Sequence, residues 1–269
     1  MQRTGLSRLP AMLCLTACLV LAGCANTPKD VTQGWSPERI YKEARDEIAS
    51  GAWDKAVALL DKLEGRAAGT VLAQQAQIEK AWAQYKTGDK VQAVATLDRF
   101  IRLHPTSPAM DYALYLKGLV NFNDNLGLFS ALINQDLSER DQRAAKESYE
   151  SFLELSKRFP ESKYSPDARQ RMTYIVNSLA GYEVHVARFY ARRGAHPAAV
   201  GRAQQALAEY PDVPAAEEAL AILVYSYDAM GMAQLRDDAK RVLERNFPNS
   251  SFLRNPLAGR TSKPWWQLW

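Results

Sequence analysis

The chain has 269 residues, 47% of them hydrophobic, and 34 Lys and Arg against 30 Asp and Glu for a formal net charge of +4. That near-balance, with no basic block, excludes a nucleic-acid surface built on charge. No internal run of about 18 apolar residues is present to cross a bilayer as a helix, and the length allows one large domain or two small ones.

The first predicted element is a leader. Arg3 and Arg8 give a short positive region, Leu9 to Leu21 is almost wholly apolar, and Leu21-Ala22-Gly23 places small residues before Cys24. This resembles a bacterial lipoprotein signal over residues 1–23, which implies cleavage before Cys24, a diacylglycerol on its thiol and an acyl chain on its amine. At roughly 0.8 kcal/mol per buried methylene, three such chains attach a protein permanently. The alternative is an ordinary secretory signal with Cys24 incidental. In lipoproteins of this kind an aspartate after the cysteine retains the protein at the inner membrane; Ala25 stands there and favours the outer one. Cys14 and Cys18 leave with the leader, so the mature chain has only Cys24 and no internal disulfide. Residues 24–35 are polar, contain a proline, and read as a flexible tether.

Ser36-Pro37-Glu38 opens the first helix with an N-cap, a first-position proline and a first-turn acid. Ile40, Tyr41, Ala44 and Ile48 share its apolar face, and Gly51 stops it. Trp53 opens a second helix carrying Ala56, Val57, Leu59, Leu60 and Leu63, which the stretch Gly65 to Gly69 interrupts. Thr70 to Thr87 and Asp89 to Leu103 form the next pair. A third pair is predicted at Ala109 to Asp124 and Arg143 to Pro160. Between them lies an insertion, 125–142, whose apolar part LGLFSALI is too short for a bilayer and packs back as a loop or short helix. Every segment has helical spacing, so strands are not expected.

A frame recurs along these helices. Gly88 leads to Pro105, Gly194 to Pro211 and Gly231 to Pro248, each seventeen residues apart, and Arg143 leads to Pro160 without the glycine. A ring precedes each proline: His104, Phe159, Tyr210 and Phe247. Ala44, Ala81 and Ala187 stand seven before a glycine, Tyr85, Tyr190 and Tyr227 three or four before, and Ala56, Ala93 and Ala199 five after. The combination is similar to the 34-residue tetratricopeptide pattern, an unrelated helical bundle being the alternative. It implies an all-α, right-handed superhelical solenoid of about five helix pairs: 36–67, 70–105, 107–160, 164–211 and 213–248. Stacked pairs bury one another and leave a concave face. The last repeat carries Arg236, Asp237 and Lys240 where its siblings are apolar, as a solenoid end needs. The tail, 249–269, is expected to be irregular; its Trp265, Trp266 and Trp269 suit a lipid interface, a partner groove or a fold back onto the last helix.

No catalytic constellation appears. His104, His185 and His196 have no metal-ligand spacing among themselves or with Cys24, and phosphate loops and nucleophile elbows are absent. Acid pairs such as Glu217-Glu218 and Asp237-Asp238 read as solvated faces. The expectation is therefore a binding protein without a dissociable cofactor or metal and with no nucleic-acid partner.

The stretch RFIRLHPTSPAMDYALYLKGL (Arg99 to Leu119), Glu139-Arg140-Asp141, RFPESKY (Arg158 to Tyr164) and FYARRGAHPAAVGR (Phe189 to Arg202) resemble the BamD lipoproteins, also called ComL. With the leader, the likeness covers nearly all of the mature chain to Pro248; the tryptophan-rich end is not part of the pattern. The resemblance implies a subunit of the β-barrel assembly machinery at the periplasmic face of the bacterial outer membrane. Its partners there would be a POTRA domain of the barrel-forming BamA, accessory Bam lipoproteins, unfolded outer-membrane proteins and, through the Cys24 lipid, the membrane itself. By the same resemblance an arginine that ion-pairs with BamA falls on Arg202, with Arg193 nearby; on its own Arg202 reads as an exposed helix charge. Tyr41, Tyr85, Tyr112 and Tyr115 are the substrate-face residues, or else repeat core. The rival reading is a lipid-anchored periplasmic adaptor for cell-wall or cell-division proteins, whereas an enzyme of murein turnover lacks the acid–base groups.

Overall fold

A computed structural model describes residues 30–122, 139–255 and 257, with the side chains of 139–141 excepted. The leader, Cys24 with the first part of the tether, most of the insertion, and the tryptophans of the tail lie outside the described residues. The ten helices described run α1 (Pro37–Ser50), α2 (Trp53–Arg66), α3 (Val71–Lys86), α4 (Lys90–Leu103), α5 (Met110–Asn121), α6 (Glu139–Arg158), α7 (Ser165–Arg192), α8 (His196–Glu209), α9 (Ala216–Ala229) and α10 (Ala233–Asn246). A 3-10 turn at Ser251–Leu253 follows, and no strand is found among the described residues.

Local chemistry sets the helix ends. The Ser36 hydroxyl accepts the N–H of Arg39, Thr70 accepts that of Ala73, and the Asp89 carboxylate accepts that of Gln92. Gly88 and Gly194 turn the chain between helices at φ +87 and +75, where a side chain would be strained. At the other end of the frame, His104, Tyr210 and Phe247 are the C-caps, with φ near −130 and the amide bonded to the carbonyl four residues back. The proline that follows bars the α conformation at these residues, which is why each helix stops there. The rings then fold inward: His104 lies 5.1 Å from Phe100, and Tyr210 is buried.

Each helix packs against the next, so the pairs α1/α2, α3/α4, α5/α6, α7/α8 and α9/α10 stack in a row as a helical repeat solenoid. First helices of neighbouring pairs also touch, α1 with α3, α3 with α5, and α7 with α9. These first helices line one side of the row. The repeat alanines explain the close approach. Ala44, Ala81, Ala187, Ala56, Ala93 and Ala199 are all fully buried, each letting the neighbouring helix backbone come near. The largest core cluster joins α3 to α7 through Phe100, Leu116, Phe152 and Ile175; a second joins α7 to α10 through Val184, Ala203 and Ile222. The α7 helix belongs to both, and its 28 residues are twice the length of α1. No glycine turn or proline interrupts the apolar spacing between Pro166 and Gly194, and Gly181, the lone exception, is tolerated because packing holds the helix on both sides of it.

Four boundaries differ from expectation. Residues 30–35, assigned to a flexible tether, are clamped to α2. The Arg66 guanidinium donates to the Thr32 carbonyl at 2.6 Å, to its hydroxyl at 2.9 Å and to Asp30 at 2.9 Å, Lys62 also bonds Asp30, and Thr32 is fully buried. Trp35 packs beside Ile40 and Tyr41 with Arg39 stacked 4.2 Å over its ring. This strap covers the end of the first pair, where no earlier repeat exists to do so. Second, α2 continues through Gly65 to Arg66, because that glycine is exposed and only one turn from the end. Third, α6 begins at Glu139, inside the segment assigned to the insertion. Fourth, the tail is not irregular from its start: Ser250 caps the 3-10 turn, and Phe252, 2% exposed, fills a space between Leu220, Ala221 and Leu243.

Candidate functional site

Two surfaces carry the residues singled out above. The first follows the first-helix side across α1, α3, α5 and the start of α7. The Tyr41 hydroxyl donates to Glu79 at 2.8 Å, Arg45 donates to the same carboxylate oxygen at 2.9 Å, and Gln75 donates to the Tyr41 hydroxyl at 2.5 Å. Further along, Tyr115 stacks flat on Tyr164 with centroids 4.7 Å apart, and Tyr112 packs against the same ring at 5.4 Å. The Tyr115 hydroxyl donates to Asp167 at 2.7 Å; Asp167 also holds Arg171, whose guanidinium lies 4.6 Å over Phe122. The result is a lane of half-buried rings whose polar edges are tied to two carboxylates.

Burial raises the Tyr41, Tyr112 and Tyr115 hydroxyls above the ordinary phenol value, and the neighbouring Glu79 and Asp167 charges add to it. They therefore stay protonated and act as donors. Flat apolar faces edged with hydroxyls and carboxylates are a chemistry suited to binding.

Tyr41, Tyr112 and Tyr115 are thus placed along one face, each with part of its ring in the core and part at the surface. Tyr85, half-buried like them, packs beside Trp82, 5.7 Å away, and borders the same core cluster as Tyr112 and Tyr115. Sequence reasoning missed Tyr164, which stands in the turn before α7 and carries no repeat signature, and it missed Glu79 and Asp167, which look like any surface acids until the tyrosines reach them.

The second surface lies on α8. Arg202 donates through Nη1 to Glu183 of α7 at 2.9 Å, with the arginine side chain 41% exposed and the glutamate 6%. This bond holds the guanidinium above its ordinary pKa. Arg193, at the end of α7, instead covers the exposed Phe189 ring at 4.5 Å. The two arginines therefore have separate partners. Glu183 carried no sequence signal.

Elsewhere, His104 is the stacked C-cap already described, His196 lies 5.6 Å from Tyr225, and His185 is exposed. Among the described residues no group of three or more His, Cys, Asp or Glu is arranged for a metal, and no helix is long and apolar enough to cross a membrane. The expectation of a solvated Glu217-Glu218 pair is corrected: Glu218 is 4% exposed and bonded to Arg188, because α9 turns that position onto α7. Asp237 and Asp238 are at the surface, paired with Arg236 and Arg241.

Comparison with known proteins places the chain in a lineage. The chain is 45% identical over 96% of both chains to the outer membrane protein assembly factor BamD of Neisseria meningitidis serogroup B. It is 34% identical to the protein of that name from Vibrio cholerae, covering 86% of this chain and 96% of that one. Among solved structures, the repeats of a Podosopora anserina putative kinesin light chain align over 80% of this chain and 100% of theirs at 16% identity and a TM-score of 0.35. Residues 34–243 match the family named YfiO and described as outer membrane lipoprotein. The span of that match runs from the turn before α1 into α10 and includes both surfaces, and the chain belongs to the YfiO family of outer membrane lipoproteins.

Proposed function

We propose that this protein is a lipid-anchored scaffold subunit of the outer-membrane β-barrel assembly complex, held at the periplasmic face by acyl chains on Cys24. In this reading the α8 surface around Arg202 docks the POTRA region of BamA, and the ring-lined lane of α1 to α7 accepts unfolded outer-membrane segments. Family membership and relatives named as outer membrane protein assembly factors support the assembly role. The observation that carries it is the separation of two different surfaces on one rigid stack, ring-lined on the first-helix side and centred on an exposed guanidinium on α8.

Unfolded barrel strands are extended and alternate apolar with polar groups. Stacked rings take the apolar side chains, while Gln75, Glu79 and Asp167 meet the backbone and polar ones, so binding is weak and tolerant of sequence. Such binding suits delivery, since a segment held tightly would not be passed on.

Depletion in cells tests the function. Loss of barrel proteins from the outer membrane is expected; chained cells with a normal barrel complement would favour a cell-wall or division adaptor instead. Arg202→Ala combined with Glu183→Gln, which leaves no buried charge without its partner, is the variant to use for co-purification with BamA. Arg202→Glu would set a second carboxylate against buried Glu183 and perturb the fold as well as the surface.

A further inference from the structure

The Arg202–Glu183 pair presents a physical problem for any partner. Glu183 is 5% exposed, and among the described residues Arg202 is the one side chain that donates to its carboxylate. A buried carboxylate stripped of its cation is strongly unfavourable. Arg202 therefore cannot swing away to meet an acid on another protein and leave Glu183 behind. Nor does it need to. A guanidinium has five N–H groups in a planar fork, and only Nη1 is engaged here. The rest of the fork belongs to a side chain that is 41% exposed. Gly201, next to it, is exposed, and a Cβ built there would meet nothing within 4 Å, so an approaching chain meets no side chain at that position.

We propose that Glu183 is a positioning residue for the docking of BamA: it remains bonded to Arg202 in the complex, and the guanidinium bridges two carboxylates, Glu183 beneath and an acidic side chain of the partner above. The inference rests on the assignment of Arg202 to the partner-binding surface. Held from below, the fork loses little side-chain freedom when the partner arrives, so less of the contact energy is spent on ordering it. Lysine keeps the charge but has no planar fork to hold two carboxylates in fixed geometry.

The test is equilibrium binding of the full chain in detergent to the purified POTRA region of BamA from the same organism. Arg202→Ala is expected to weaken binding by about thirtyfold or more, the range for truncating one partner of a desolvated charge pair. Glu183→Ala is expected to weaken it about tenfold in the wild-type background and to add nothing to Arg202→Ala, a coupling of the size seen between contacting residues. Glu183→Gln, which keeps an oxygen to accept the Nη1 proton and preserves the packing, should retain most of the affinity; it guards against a Glu183→Ala chain that does not fold. Arg202→Lys should bind about as poorly as Arg202→Ala. If Glu183→Ala costs the same factor in both backgrounds, or nothing in either, the positioning role is overturned while Arg202 stands. If Arg202→Ala binds like the wild type, the assignment of Arg202 itself falls.

Discussion

Gly118 is where the stack can be broken by a single methyl group. It lies buried in α5 against α6, and the Ser148 hydroxyl donates to its carbonyl at 2.8 Å, which fixes how close the two helices come. A Cβ at this position would sit 2.4, 2.6 and 2.7 Å from three ring atoms of Phe152. Carbon atoms in contact prefer about 3.5–4.0 Å, so the ring or the helix must move by about 1 Å. Phe152 is fully buried, with Tyr115 and Phe122 at 6.0 and 6.3 Å, and has no open side to retreat into. Overpacking of this kind costs about 3 kcal/mol at the upper end of its range, and alanine returns about 1 kcal/mol over glycine in a helix. Gly118→Ala should therefore lose about 2 kcal/mol, a fall in Tm of about 4–8 °C for a domain of this size. Urea and thermal unfolding followed by circular dichroism would measure it. Adding Phe152→Leu should recover about 1 kcal/mol relative to the sum of the two single variants. A Gly118→Ala protein as stable as the wild type, or more so, would refute the close-approach argument and leave helix propensity as the sole effect.

Gly181 supplies the opposite case, since a Cβ there meets nothing within 4 Å and the residue lies inside α7; Gly181→Ala should raise stability by about 0.5–1 kcal/mol in the same unfolding assay. Lys80, 4% exposed, is held by Asp61 at 2.9 Å and Glu64 at 2.5 Å across the first two pairs, and Lys80→Ala should destabilise by about 1–3 kcal/mol through the lost charge-assisted bonds, Arg99 at 2.7 Å keeping Glu64 paired. Burial acts to raise the Glu64 carboxyl, but hydrogen bonds from Lys80 and Gln77 and the charges of Lys80 and Arg99 outweigh it and hold the group below its ordinary 4.5. A lowered carboxylate stabilises above its unfolded value and loses that contribution as pH falls through the folded one. The stability gap between wild type and Glu64→Gln, measured by urea midpoint, should accordingly be constant near neutrality and shrink below about pH 4.5. Asp30→Ala should release the strap from Lys62 and Arg66, read as a severalfold rise in protease cleavage before Ser36 with little change in Tm, as expected for local opening of a terminal segment.

Most of the architecture was legible in the chain because a repeat writes its own geometry locally. A glycine that must turn, a proline that must stop a helix, and alanines where backbones meet are properties of single residues at fixed spacing, and Gly88, Pro105 and Ala93 needed no distant partner to be read. What tertiary structure alone decided concerns residues whose meaning depends on what faces them across a helix pair. Glu183 and Glu218 look like surface acids until the stack buries them under Arg202 and Arg188; Tyr85 and Tyr115 share a residue type, yet one meets Trp82 and the other Tyr164 and Asp167. The strap at 30–35 had the composition of a tether and was ordered by two side chains more than thirty residues away. Hydrophobic period and turn chemistry act over a few residues, so they survive in sequence. Pairing of charges and rings acts through space, and only the folded stack says which of them meet.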